Sequence, residues 1–179
     1  MDTAWVLALV PYSQGWAGDF WNFLGTRQAV ILYTVVVLAR VLAGARQEQR
    51  QAGGTFRPHL LRPLLLVIFV ASATDTLGAR LLKPGFQRPR PCVAMQLEVE
   101  HCSKSSWSFP SNHAATTAAI AMATSSPLLG GLSLLAGISR VILGQHYPSD
   151  VGAGWALGAG IGLGMRRLWL RWLPEDLWK

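Results

Sequence analysis

The chain has 179 residues, of which 51% are hydrophobic and only 14% charged, and its mean hydropathy is +0.30. Soluble domains usually carry about 25% charged residues, so this composition favours a membrane protein of one domain, residues 1–179. The net charge is +7, but the basic residues stand at the ends of apolar segments and form no single run. This distribution predicts orientation signals and phosphate ligands and argues against binding to nucleic acid.

The predicted elements are all helical. Residues 1–28 hold Trp5, Trp16 and Trp21 and predict one or two helices lying in the membrane interface. We expect the apolar segments that follow to span the bilayer: A over residues 28–45, B over 60–82, C over 111–125, D up to residue 144 and E over 150–169. Polar loops cover residues 44–57 and 83–109, and the Trp-rich tail suits an interface. The predicted fold is an all-α polytopic membrane helix bundle with about five transmembrane helices and an interfacial N-terminal region.

Arginine bias predicts the orientation, because cytoplasmic loops carry an excess of Arg and Lys. Two groups of arginines should face the cytoplasm, one around the A–B loop and one in the tail: Arg40, Arg46, Arg50, Arg57 and Arg62, and Arg166, Arg167 and Arg171. The polar segments at residues 83–109, 111–113 and 140–150 should then share the outer face of a bacterial inner membrane, at the periplasm or cell exterior.

Segments B and E carry features that we interpret as structural. Two ridges of small residues in E should pack against other helices: Gly152, Ala156, Gly160 and Gly164, and Gly154, Gly158 and Gly162. Asp75 lies in the middle of B, where an acid is costly unless it is paired. We therefore expect an ion pair between Asp75 and Arg40 or Arg80.

Two polar patches before segment D carry residue types suited to phosphate. In KPGFQRPRP, six residues rich in Pro and Gly separate Lys83 from Arg90, so a stiff segment could turn both cations towards one point. Arg88 is either a third cation or merely solvated. In FPSNH, Ser111 can cap segment C, whose N-terminus offers free N–H groups to an anion, and His113 stands in its first turn.

The third patch, SRVILGQHYPSD, places Arg140, His146 and Asp150 between two apolar helices. Arg140 offers a planar fork of donors for phosphate oxygens. A neutral His146 could attack phosphorus or move a proton, and Asp150 could hold its ring in one tautomer. The alternatives are a polar loop with capping residues, or a zinc site made by His113, His146 and Asp150, which the nearby cations would oppose.

Taken together, the three patches resemble the motifs of the type 2 phosphatidic acid phosphatase superfamily, which also includes the vanadium haloperoxidases. The matching patterns are K-x6-RP, PSNH and SR-x5-H-x3-D, at Lys83 to Pro91, Pro110 to His113 and Ser139 to Asp150. One departure is Asn112, where the common family pattern has Gly. Asn tolerates unusual backbone angles better than most residues, so its amide could still point at phosphate, and its side chain could add a donor.

The resemblance implies a role for each matched residue. His146 would be the nucleophile that forms a phosphohistidine, and Asp150 would orient it. His113 would protonate the leaving oxygen and then activate water. The phosphoryl oxygens would be held by Lys83, Arg90, Ser111, Asn112 and Arg140. Positioning and charge neutralisation of this kind need neither a metal nor another cofactor.

The resemblance therefore implies a membrane enzyme that removes a terminal phosphate from a lipid phosphate or diphosphate. The leading substrate is undecaprenyl diphosphate, by analogy with short bacterial members of the family. Phosphatidylglycerophosphate, phosphatidic acid and lipid A phosphate are alternatives. Two further alternatives are haloperoxidase-like chemistry, against which the apolar spans argue, and a non-catalytic lipid-phosphate binding or transport protein, against which the two histidines and the aspartate argue.

The two cysteines, Cys92 and Cys102, lie in one predicted outer loop with nine residues between them. The outer face of most bacterial membranes is oxidising. We therefore predict a disulfide that closes a short loop beside Arg90.

Overall fold

The structure is a computed structural model that describes residues 1–25, 33, 35–40, 42–43, 46, 50, 62–99 and 102–172. Two N-terminal helices, α1 (Asp2–Leu9) and α2 (Gly15–Gly25), are joined by a 3₁₀ turn at Val10–Ser13. The main body contains α3 (Arg62–Thr76), a π-helix (Leu77–Leu82), α4 (Lys83–Phe86), α5 (Pro91–Ala94), α6 (Asn112–Thr124), α7 (Pro127–Ile142) and α8 (Pro148–Trp172). No strand occurs among these described residues, as the predicted all-α class requires.

The predicted segments correspond to these helices, with shifted ends. Segment B becomes α3 and the π-helix, C becomes α6, D becomes α7, and E becomes α8, which begins at Pro148. Segment A is helical where it is described, at residues 33, 35–40 and 42–43. Most of the basic loop at residues 44–57 and the tail beyond residue 172 lie outside the described residues.

The centre of the molecule is the close pair α6 and α8. Along α8, Gly154, Gly158 and Gly162 face the backbone of α6, so that a Cβ at Gly158 would overlap the carbonyl of Ala115 and one at Gly162 that of Ala119. The other predicted ridge is not a packing surface, because a Cβ at Gly152, Gly160 or Gly164 would meet no atom within 4 Å. Small residues on one face of α8 thus let the two helices approach closely.

Helix α3, helix α7 and the helical part of segment A surround this pair. Leu66 and Val70 of α3 are buried against Ala119 and Ala123 of α6. The hydroxyl oxygen of Tyr33 lies 2.8 Å from the carbonyl oxygens of both Thr117 and Leu129, which joins segment A to α6 and α7. Because α6 is packed on several sides, its N-terminus is held firmly among the surrounding helices.

The N-terminal region does more than lie at an interface. Val6 of α1 is fully buried and packs with Val141, Tyr147 and Val151, which lie on α7, the following loop and α8. Trp5 and Trp16 are 62% and 85% exposed, and their interfacial position stays a prediction. Helix α1 is therefore docked beside the third motif.

One segment of the described chain, Leu64–Ala94, is long and apolar enough to cross a membrane. Helix α7 is apolar but shorter. Large apolar side chains also lie exposed on α3, at Leu65, Ile68 and Phe69, and such faces are typical of contact with lipid. These features support membrane association, while the prediction of five spans goes beyond them.

Candidate active site

Lys83 and Arg90 of the first motif are both buried, at 8% and 9% exposure. Lys83 begins α4, directly after the π-helix, and its Nζ donates to the carbonyl of Trp107 at 2.6 Å. Arg90 is held by the loop that precedes α6, since its Nε and Nη2 donate to the carbonyl and hydroxyl of Ser106 at 3.0 and 2.8 Å. Its Nη1 donates to both the carbonyl and the side-chain oxygen of Gln145. Both cations are therefore fixed by backbone and polar partners.

The predicted disulfide between Cys92 and Cys102 is present. It closes the loop that follows Arg90. The backbone N–H of Cys92 also donates to the carbonyl of Gly144 at 3.0 Å, which ties this loop to the third motif. Gly144 has a φ of +63°, a left-handed conformation that favours glycine and turns the chain towards His146.

His146 lies in the loop between α7 and α8 and is only 2% exposed. Its Nε2 is 3.3 Å from Nη1 of Arg90. Because a guanidinium can only donate, Nε2 is the acceptor, and the proton of a neutral ring lies on Nδ1, which is 3.6 Å from Asp150 Oδ2. Burial, opposed by Asp150 and reinforced by the positive charges of Arg90 and Lys83, lowers the pKa of His146 to about 4. The ring is thus neutral near pH 7, with a lone pair on Nε2.

Asp150 is fully buried in the first turn of α8. Its Oδ2 accepts the backbone N–H of Tyr147 at 2.9 Å, and its Oδ1 accepts from Arg88 Nη1 at 2.6 Å. The guanidinium of Arg88 also lies over the ring of Tyr147, 3.8 Å from its centroid. Arg88 is therefore neither merely solvated nor simply a third phosphate ligand: it is the ion-pair partner of Asp150.

Ser111 and His113 stand at the N-terminus of α6. Ser111 occupies the N-cap position, but its side chain forms no capping bond, contrary to the prediction from sequence. Its backbone N–H instead donates to the carbonyl of Asp150 at 3.0 Å, which joins the starts of α6 and α8. Nε2 of His113 is 3.1 Å from Nη2 of Arg140, the last basic residue of α7, so the second and third motifs meet here.

The side chain of Asn112 contacts Asp75 and the π-helix. Its Nδ2 donates to Asp75 Oδ1 at 2.9 Å, and its Oδ1 lies where a Cβ of Gly78 would be. Asp75 therefore has a different partner from the predicted Arg40 or Arg80, and Arg40 donates to Ser126 Oγ at 2.9 Å. The reason is position: Asp75 lies just before the π-helix and faces the start of α6. The Asn112 side-chain amide thus already has Asp75 as a partner, its backbone N–H lies at the helix N-terminus, and phosphate binding by Asn112 stays a prediction.

Four buried polar atoms of the motifs have no hydrogen-bond partner within the described part of the chain: Ser111 Oγ, Asn112 Oδ1, Arg140 Nε and His146 Nδ1. Leaving such groups unsatisfied costs free energy, so atoms of this kind mark a place that suits a polar ligand. The described residues contain no group of three His, Cys, Asp or Glu side chains arranged to hold a metal ion.

Sequence reasoning missed several residues that shape this site. Gln145 and Ser106 hold Arg90, Trp107 holds Lys83, and Tyr147 contacts Asp150 and Arg88. Gln145 and Tyr147 flank the nucleophile candidate His146 in sequence, and this adjacency was the available signal. Ser106 and Trp107 lie in a polar loop with no recognisable pattern.

Two curated phosphatases are similar to this chain in sequence. Over 99 residues the chain is 43% identical to decaprenylphosphoryl-5-phosphoribose phosphatase of Mycobacterium tuberculosis, and the match covers 52% of this chain and 52% of that protein. Over 112 residues it is 33% identical to phosphatidylglycerophosphatase B of Bacillus subtilis, and the match covers 53% of this chain and 51% of that protein. The chain thus spans about half the length of the curated relatives that it matches.

The fold also has a solved counterpart, the transmembrane PAP2 type phosphatidylglycerolphosphate phosphatase from Bacillus subtilis. The two structures superpose with a TM-score of 0.67 and 23% sequence identity, over 97% of this chain and 87% of that one. A family comparison matches residues 60–174, which include all three motifs, to the PAP2 superfamily. The chain therefore belongs to the PAP2 superfamily.

Proposed function

We propose that this chain is an integral membrane phosphatase that removes a terminal phosphate from a lipid through a phosphohistidine on His146. The observation that supports it most directly is the state of that ring. Its Nε2 is an acceptor 3.3 Å from Arg90, and its Nδ1 faces Asp150 at 3.6 Å. A nucleophilic histidine needs this tautomer, with its lone pair towards the substrate and its proton towards a carboxylate.

Lys83, Arg90 and Arg140 supply the positive charge that a phosphoryl group needs. Arg140 Nε and Ser111 Oγ are buried donors without a protein partner in the described chain, and both could donate to phosphate oxygens. The N-terminus of α6 adds backbone N–H groups and the positive end of a helix dipole. Phosphoryl transfer depends mainly on positioning and charge neutralisation, which this set provides.

In the first step, Nε2 of His146 forms a bond to phosphorus while the bond from phosphorus to the lipid oxygen breaks. The bound phosphate replaces Nε2 as the acceptor of the Arg90 proton, and its negative charge favours protonation of His113. His113 then gives this proton to the leaving oxygen. Asp150 stabilises the positive charge that the phosphorylated ring acquires.

In the second step, a water molecule attacks phosphorus and gives a proton to His113, which the first step has left neutral. The N–P bond breaks, and its electron pair returns to Nε2 of His146. The products are inorganic phosphate, a neutral His146 and a protonated His113, so atoms and charges balance over the cycle.

The substrate class that we favour is a polyprenyl-linked phosphomonoester. The relative with 43% identity is named for decaprenylphosphoryl-5-phosphoribose, and its match covers half of each chain. Undecaprenyl diphosphate stays a prediction from the sequence. Phosphatidylglycerophosphate, for which the 33% identical relative is named, is the principal alternative.

Phosphate release by the purified full chain in detergent tests the proposal. The panel contains decaprenylphosphoryl-5-phosphoribose, undecaprenyl diphosphate, phosphatidylglycerophosphate, phosphatidic acid and lipid A phosphate. We expect His146→Ala to lower kcat by at least about 10³-fold, because the nucleophile is lost. His59→Ala, a histidine outside the three motifs, is the matched control. Binding of these lipids without turnover would instead favour a lipid-binding protein.

Two further measurements examine the mechanism. A lipid labelled with ³²P in its terminal phosphate should label the protein when the reaction is quenched in alkali, since phosphohistidine is destroyed by acid. Activity should survive EDTA and be inhibited by vanadate, which mimics five-coordinate phosphorus. Loss of activity in EDTA that Mg²⁺ or Zn²⁺ restores would contradict a site that relies on protein cations alone.

We also propose five spans that place the site at the outer face of the membrane. The arginines of the first loop and of the tail support this orientation, and neither group belongs to the motifs. Single cysteines at Lys104 and Gln49, on a Cys92→Ser, Cys102→Ser background, provide the test. The first should react with an impermeant maleimide in spheroplasts and the second only after lysis. The reverse pattern would place the chemistry in the cytoplasm.

A further inference from the structure

Arg88 lies between two carboxylates, one of which belongs to the N-terminal helix α1. Its Nη1 donates to Asp150 Oδ1 at 2.6 Å, and its Nη2 donates to Asp2 Oδ2 at 3.0 Å. Arg88 Nη1 also donates to the hydroxyl of Ser149 at 2.7 Å. One guanidinium thus divides its charge between the buried carboxylate beside His146 and an acid on α1.

Asp2 is fixed at this position by contacts of its own. Its Oδ1 accepts the backbone N–H of Ser149 at 3.2 Å, and its Oδ2 accepts the hydroxyl of the same residue. Partial burial raises the pKa of Asp2, but the hydrogen bonds from Ser149 and Arg88 outweigh it, so the pKa lies below its ordinary value. Val6, one turn further along α1, is fully buried and anchors the helix. Asp2 is therefore an ionised partner near pH 7.

We propose that Asp2 and Arg88 are positioning residues that set the orientation and effective charge of Asp150, and through it the basicity of His146. The proposal rests on the role of His146 as nucleophile in the proposed function. It adds a contribution from α1, which lies outside the segment, residues 60–174, that matches the PAP2 superfamily.

The contacts explain how Asp2 and Arg88 act on His146 through Asp150, a coupling that we call the relay. Asp150 has two oxygens: Oδ1 is bound by Arg88 and Oδ2 by the N–H of Tyr147, which leaves Oδ2 3.6 Å from His146 Nδ1. The more strongly Arg88 attracts this carboxylate, the less negative charge it offers to the imidazolium. Asp2 competes for the same guanidinium, so it restores part of that charge to His146.

The signs of the two perturbations are therefore opposite. Removing the cation at Arg88 should raise the pKa of His146, and removing the anion at Asp2 should lower it. The other groups that face or act on His146 are unchanged in both variants: Arg90 at its Nε2, Lys83 and Asp150 nearby, and His113, which is paired with Arg140 across the site. A purely structural role for Asp2 and Arg88 would not produce opposite shifts.

The experiment uses the full chain labelled with ¹⁵N-histidine in detergent, in which His146 is assigned among the four histidines with His146→Ala. We expect the His146 pKa to rise by about half a pH unit or more in Arg88→Gln and to fall in Asp2→Asn. Asp19→Asn and Arg80→Gln are matched controls, since both side chains are exposed and both variants remove the same charges. Arg88→Lys, which keeps the charge, should stay near the wild-type value.

Turnover provides a second readout. Arg88→Gln should lower kcat by about 10–100-fold with KM changed by less than about threefold, because Asp150 loses the contact that fixes its orientation beside His146, while the groups proposed to bind the lipid phosphate are unchanged. Asp2→Asn should lower kcat by a smaller factor. Arg88→Lys should recover a large part of the loss.

The outcomes separate this inference from the proposed function. Unchanged His146 titration in both variants, or shifts of the same sign, would overturn the relay even if the wild type is an active phosphatase. An inactive wild type on every lipid of the panel would instead overturn the proposed function. Disulfide formation in an Asp2→Cys, Ser149→Cys variant checks that α1 is docked in the purified protein. If α1 were displaced, Asp2→Asn would leave the His146 pKa unchanged for that reason alone.

Discussion

A methyl group added at Gly158 tests whether the close approach of α6 and α8 holds the site together. The Cβ of Gly158→Ala would overlap the carbonyl oxygen of Ala115, and a backbone carbonyl cannot move without moving α6. Overpacking of this kind costs about 1–3 kcal/mol, while replacing a helical Gly by Ala gains about 0.5–1 kcal/mol. The net expectation is a loss of stability of up to about 2.5 kcal/mol. Gly160→Ala is the matched control, because its Cβ would meet nothing within 4 Å and should gain up to about 1 kcal/mol.

The same change should reach the chemistry. The N–H of Ser111 and the carbonyl of Asp150 join the starts of the two helices at 3.0 Å, so a displaced α6 moves His113 relative to His146. Misplacing reacting groups by about 1 Å can cost about 10²-fold in rate. The unfolding temperature in detergent and the rate of phosphate release should therefore both be lower in Gly158→Ala than in the wild type. Neither should be lower in Gly160→Ala. Equal behaviour of the two variants would refute the idea that this glycine face positions the site.

Three other predictions concern single groups. As the pH falls, kcat/KM should decrease near pH 4 and not near 6.5, because burial lowers the pKa of His146 and keeps the ring neutral in weak acid. A decrease centred at about pH 6.5, after correction for ionisation of the substrate, would contradict this. Asn112→Gly should lower stability by about 1–3 kcal/mol in thermal unfolding, because it leaves Asp75 without its amide donor, and Asp75→Asn should be milder, since an amide can still accept a hydrogen bond. Reduction of the Cys92–Cys102 disulfide should lower the unfolding temperature, and a Cys92→Ser, Cys102→Ser variant should not respond to reductant.

The sequence allowed the helices to be predicted because long apolar runs in this chain leave few alternatives in a membrane. The segments B to E correspond to described helices, and the turn before α7 was indicated by Pro127. The π-helix at Leu77–Leu82 was not predicted, and within it Gly78 meets the side chain of Asn112, a contact between residues far apart in sequence. Likewise, hydrophobic periodicity could not decide which of the two small-residue ridges of α8 faces α6.

The motifs indicated which residues gather at the site, but not how they pair. Arg88 and Asp75 show why. The sequence left Arg88 as either a third cation or a solvated one, and the position of Asp75 in the middle of segment B predicted an arginine partner. In the fold, Arg88 meets Asp150, 62 residues away, and Asp75 meets Asn112, 37 residues away. Such partners depend on which helix faces are turned together, a property of packing that composition and spacing do not encode.

The two histidines show what this pairing means for function. Each accepts a hydrogen bond at Nε2 from an arginine, His146 from Arg90 and His113 from Arg140, so both rings carry a lone pair at that atom. The same two arginines belong to the set that we propose as phosphate ligands. A phosphoryl group that binds them would therefore compete with both rings at once, releasing Nε2 of His146 for attack and Nε2 of His113 for protonation. Substrate binding and preparation of the two catalytic groups would then be a single event, which a site with separate phosphate and histidine partners could not achieve.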